Sequence, residues 1–151
     1  MSWYVEVLLL NKNIIKEKSD MESDEFQDLL FVEKTLSNFL NANLFTDIEV
    51  KVLNAMETSA NFFIAASTLD LHRVTVSKVF KKACDKISYK LGSYFTDDGY
   101  LSYLQNKYSL SEAQVSTLRR YMNSKFRYKL ARQIFKDVDE NIEDEDYEIE
   151  N

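Results

Sequence analysis

The chain has 151 residues, is 45% hydrophobic and 29% charged, and contains no proline and only two glycines, Gly92 and Gly99. That composition excludes a chain without a core, an all-β sandwich or barrel with its many turns, and any glycine-rich phosphate loop. The net charge of −6 is laid out unevenly: residues 1–72 carry 5 basic and 12 acidic side chains, residues 73–136 carry 14 and 4, and residues 137–151 carry none and 9.

The single cysteine, Cys84, rules out an intrachain disulfide framework and fits a reducing, cytoplasmic setting. The single histidine, His72, leaves no histidine-based metal cluster. No cofactor, metal site or catalytic residue is expected, and an enzyme is not the expected class. The apolar run Val7–Leu10 is too short to span a membrane and has no basic region before it, so neither a membrane anchor nor a signal peptide is expected.

In chain order, residues 3–10 are rich in strand formers and suggest a short strand or an extended segment. Residues 11–24 are polar and read as a loop. From 24 to 43, Phe26, Leu29, Leu30, Val32, Leu36, Phe39 and Leu40 make one helical face. Thr46 and Glu49 form a capping box that starts a second helix, with Phe45 and Val50 as its hydrophobic staple. A short third helix spans Phe62–Leu69, with Phe63, Ile64 and Ala66 as its apolar residues. Asp70 and Leu71 form a tight turn.

The fourth helix begins at His72 or Arg73 and ends at Leu91. Its apolar residues are Val76, Val79, Phe80, Ala83, Ile87 and Leu91, and Gly92 is its C-cap. A fifth helix covers about 97–107. Ser111 and Gln114 form a second capping box before the longest helix, about 112–136. That helix sets Val115, Leu118, Met122, Phe126, Leu130 and Ile134 against a basic remainder. The acidic stretch 137–151 is too charged to pack and is expected to be disordered. The fold class is therefore all-α with an optional N-terminal strand. Four segments divide it: 1–45, 46–92, 93–136 and 137–151.

Residues 46–91 carry the functional signal. A capped helix leads to a short helix, a tight turn and a long helix with basic residues near its start. The small residues Ala65 and Ala66 permit a close crossing, and Leu71 and Val76 pin the turn to the core. Thr46, Glu49, Val52 and Leu53, the pair Ile64-Ala65, the turn Leu69-Asp70-Leu71, the pair Thr75-Val76, and the endings Lys86-Ile87 and Lys90-Leu91 follow one family pattern. The segment resembles the helix-turn-helix of region four of bacterial sigma factors and of LuxR-type regulators. It departs from that pattern with Asp70 where glycine is usual and His72 where Ser or Thr commonly caps.

The resemblance implies double-stranded DNA as partner. It places Thr46, Arg73, Thr75, Ser77, Lys78, Lys81 and Lys82 toward DNA. Arg73, Thr75 and Lys78 would meet base edges, and Thr46, Lys81 and Lys82 would meet phosphate. Arg119, Arg120, Lys125, Arg127, Lys129 and Arg132 form a second basic set for nucleic-acid contact. His72 reads as a cap or turn residue and Cys84 as a small core residue. The many aromatics of 89–128 read first as core packing and second as a stacking surface for bases.

The expected function is a transcription regulator or sigma-like factor, with RNA polymerase or another protein on the acidic flanks. One alternative is a viral small terminase subunit that recognises DNA for packaging and assembles through 112–136 as a homo-oligomer. A second is an interaction module with no DNA role, whose basic face binds an acidic protein. A last expectation is that 137–151 competes with DNA for the basic segment.

Overall fold

Trp3–Leu10 is a helix, α1, and its residues Trp3 through Leu8 are all buried. This corrects the expected strand. A helix apolar apart from Glu6, and buried on every side, belongs in the middle of a core, and α1 packs against α3 (Asp24–Asn41), α6 (Arg73–Leu91) and α7 (Asp97–Tyr108). The β-forming residues of α1 reflect burial, because strand propensity largely measures how a side chain packs. The computed structural model describes residues 2–58 and 61–123. Among them are eight α-helices, a short 3-10 turn at Ser93–Phe95, and no strand.

The loop expected over 11–24 contains a helix, α2 (Lys12–Lys18), which buries Ile15. Lys12 pairs with Glu57 and Lys16 with Glu33. α3 follows, capped by Ser23, whose Oγ accepts from the Phe26 amide at 3.3 Å. It buries Leu29 and Val32, while Leu30 and Phe31 are exposed.

α4 (Asp47–Thr58) starts at the expected capping box. The Thr46 amide donates to Glu49 Oε1 at 2.8 Å and the Glu49 amide to Thr46 Oγ1 at 3.3 Å. Both staple residues, Phe45 and Val50, pack on the core. α5 (Phe62–Leu69) has the expected bounds, but its buried residues are Phe62, Ala65 and Ala66. Phe63 and Ile64, two of the apolar residues the sequence marks on this helix, are exposed. Three buried residues at spacing 3 and 1 use the available face, and Phe63 and Ile64 turn about 100° and 200° away from Phe62.

α4, α5 and α6 all touch one another. α6 ends at Gly92, whose φ of 107° lies where L side chains are strained. The 3-10 turn then folds onto α7. Gly99, in the first turn of α7, sits so close that a Cβ there would lie 1.7 Å from the Ser93 carbonyl oxygen. α8 (Glu112–Met122) begins at the expected capping box, with the Ser111 amide donating to Gln114 Oε1 at 2.8 Å and the Gln114 amide to Ser111 Oγ at 3.2 Å. The expected continuation of this helix to 136, and the acidic stretch 137–151, lie outside the described residues.

The aromatics near α7 go to packing. The rings of Tyr4 and Tyr100 stack at 3.7 Å and 13°, with Trp3, Tyr94, Phe95 and Tyr103 around them. Tyr4 and Tyr94 both donate to Asp28 Oδ2, at 2.6 and 2.8 Å. This ties α1 and the 3-10 turn to α3. Burial pushes the Asp28 carboxyl above its ordinary range, against the pull of the two tyrosines. Tyr103 donates to Asp24, and its hydroxyl is pushed up to about 12, first by burial and then by that bond. Tyr89, Tyr108 and Tyr121 stay exposed.

Candidate nucleic-acid interface

The α5–α6 turn is built without glycine. Asp70 takes the left-handed conformation, φ 55° and ψ 48°. The Leu71 amide donates to the Ala66 carbonyl at 2.9 Å and the Asp70 amide to the Ser67 carbonyl at 3.4 Å. This double closure satisfies the last carbonyls of α5. Aspartate is among the few residues whose short polar side chain tolerates this conformation. His72 is then the extended residue before α6, but its side chain makes no capping bond. Ala65 and Ala66 are buried in α5, which packs on both α4 and α6, and Val76 is fully buried one turn into α6.

At 3.6 residues per turn, Val74, Thr75, Lys78, Lys82, Asp85 and Tyr89 fall within about 100° of arc on α6. All six are exposed. Of the residues expected to face DNA, Thr75, Lys78 and Lys82 therefore share one outward stripe. Arg73 and Lys81 are half-buried at its edge. Ser77 is buried, at 3% exposure, because its register puts it on the core side between Arg73 and Phe80. It cannot face a groove, and the DNA-facing set loses it. Val74, Asp85 and Tyr89 join the stripe instead. Helical register alone identifies them, but only once the buried side of α6 is known.

Thr46 is exposed but lies elsewhere. Glu49 Oε1, which accepts from the Thr46 amide, also accepts from Lys86 Nζ at 2.6 Å. Thr46 is thereby fixed beside Lys86, about 20 Å along α6 from Arg73. Burial raises the Glu49 carboxyl, but the bonds from Lys86 and Thr46 outweigh it and hold the group below its ordinary value.

In the second basic set, Arg119 and Arg120 are exposed on α8, and Arg119 pairs with Asp98 at 3.1 Å. Lys125, Arg127, Lys129 and Arg132 lie outside the described residues. Cys84 is fully buried, and burial, then the nearby charges of Glu6 and Asp85, push its thiol well up. Among the described residues no three His, Cys, Asp or Glu side chains converge as a metal set, and no helix is long and apolar enough to cross a membrane. Compared with known protein families, curated proteins and solved structures, the chain matches none.

Proposed function

We propose that this protein binds double-stranded DNA through a helix-turn-helix made of α5, its turn and α6, as a transcription regulator or sigma-like factor. The observation that carries the reading is the turn itself. Asp70 adopts the left-handed backbone that a glycine usually supplies, and the helix beyond presents Thr75, Lys78 and Lys82 on one outward stripe. A helix held at its base by buried alanines and exposed along one stripe has the shape that enters a major groove. Thr75 and Lys78 sit where base edges would lie, and Lys82 one turn further where phosphate would lie.

The test is binding of the full chain to random-sequence duplex DNA across salt. A protein neutralising around 6 phosphates loses on the order of a thousandfold in affinity between about 50 and 200 mM salt. Replacing Lys78 and Lys82 with Ala should lower the salt slope by about two. Absence of binding at low salt defeats the reading and leaves the basic surface to an acidic protein. A ring-sized mass in solution, with DNA binding intact, would favour the packaging-subunit alternative over a promoter-binding factor.

A further inference from the structure

α6 carries a second feature that runs on beyond the stripe proposed for DNA. Lys78, Lys82, Lys86 and Lys90 stand four residues apart, a single ridge winding slowly around the helix. Its far end borders an open, mostly apolar groove of about 590 Å³ between α3 and α6. The groove is lined by Phe39, Leu44, Asp85, Lys86, Tyr89 and Lys90. Leu44 is 54% exposed and Tyr89 is 90% exposed. An aromatic ring so far out of the core, in one groove with an exposed leucine and two lysines, suits a ligand that is both acidic and apolar.

Residues 137–151 have that chemistry. They carry 9 acidic side chains and no basic one, interspersed with Val138, Ile142, Tyr147 and Ile149. Residues 124–136 can span up to about 45 Å of chain, more than the width of a domain of roughly 120 residues with a radius of gyration near 14 Å. We infer that the segment 137–151 docks on this groove, its apolar residues against Leu44 and Tyr89 and its carboxylates along the lysine ridge. Lys86 is already paired with Glu49 and Asp85 opposes binding locally, so Lys90 supplies the main attraction in the groove, with Lys82 further along the ridge outside it. The inference does not depend on DNA binding. Where DNA does bind, the docked segment covers Lys82 and Lys78 and competes with it.

The experiment uses the full chain with Tyr147→p-benzoylphenylalanine, irradiated at about 50 and 500 mM salt, where charge screening is weak and strong respectively. Intramolecular crosslinks should map to peptides holding Leu44 or Tyr89 and fall at high salt. Tyr89→Asp and, separately, Lys90→Glu should each cut the yield by about threefold, the scale of one exposed charge contact. Both are surface changes, and unchanged helical circular dichroism confirms the fold. Crosslinks elsewhere on the chain, crosslinks to a second copy, no crosslink, or a yield indifferent to both variants would each overturn the inference.

Discussion

The α5–α6 and α7–α8 junctions follow nearly the same backbone path yet hold their second helices by different means. Asp70 (φ 55°, ψ 48°) and Ser109 (φ 53°, ψ 47°) both end a helix in the left-handed conformation. Each is followed by a leucine, Leu71 or Leu110, whose amide donates back five residues, at 2.9 and 3.1 Å. Each leucine is followed by an extended N-cap, His72 or Ser111. Ser111 caps α8 with a full box, whereas the His72 side chain makes no capping bond. α6 touches α1, α3, α4, α5 and the 3-10 turn, while α8 packs chiefly on α7. Packing on many sides holds α6 without a cap; α8, buried mainly at Val115 and Met122, relies on its local start.

The strongest way to break this contrast is at the seat of α7, on which α8 depends. Gly99→Ala drives a Cβ into the Ser93 carbonyl, which is backbone and cannot swing away. We expect a loss of about 3 kcal/mol in urea unfolding, with loss of amide protection in α7 and α8 before α4–α6. Equal loss of protection throughout would mean that the two halves are not separable in this way.

Next is the clamp between α4 and α6. Glu49→Gln keeps the capping geometry but removes the charge facing Lys86. It should cost about 1.5 kcal/mol at pH 7, the low end for a bond to a charged group, because Lys86 is partly in water. The folded carboxyl is held below its ordinary value, so the stabilisation is complete above the ordinary carboxylate range. It is lost as pH falls through the folded value. Unfolding curves of the two proteins should therefore converge only once the pH has fallen below the ordinary carboxylate range. A gap that stays constant with pH would contradict the charge account.

Two smaller changes sharpen the comparison at the caps. Ser111→Ala should cost about 1 kcal/mol and raise hydrogen exchange over Glu112–Met122. His72→Ser offers α6 the missing acceptor and should add about 0.5 kcal/mol, with no change in exchange across a helix already held by its neighbours. Smallest of all, Cys84 should stay unmodified by a thiol reagent in native protein and react once unfolded, since its burial leaves no exposed thiolate.

Signals carried by short-range chemistry were legible in the chain itself. The boxes at Thr46–Glu49 and Ser111–Gln114, the bounds of α5 and α6, and the C-cap at Gly92 follow from hydrogen bonds and backbone freedom that a few adjacent residues decide. The caps at Ser23, Asn61 and Thr96 carried the same polar signature and were not singled out. Amphipathic periodicity likewise marked Val76, Phe80, Ala83 and Ile87 as the buried side of α6.

The remaining features depend on partners distant in sequence. Trp3–Leu10 is a helix because α3, α6 and α7 surround it, and a segment buried on every side has no periodicity to betray it. Ser77 turns inward, Tyr89 outward, and Thr46 is drawn to Lys86 by Glu49, a residue 37 positions away from that lysine. Caps and periodicity are local, so the starts of α3 to α8 and the ends of α5 and α6 are legible from neighbouring residues, whereas α1 and α2 are not. Which side of each helix faces water, and so which lysines form one surface, is set by how the eight helices of the described residues share one core.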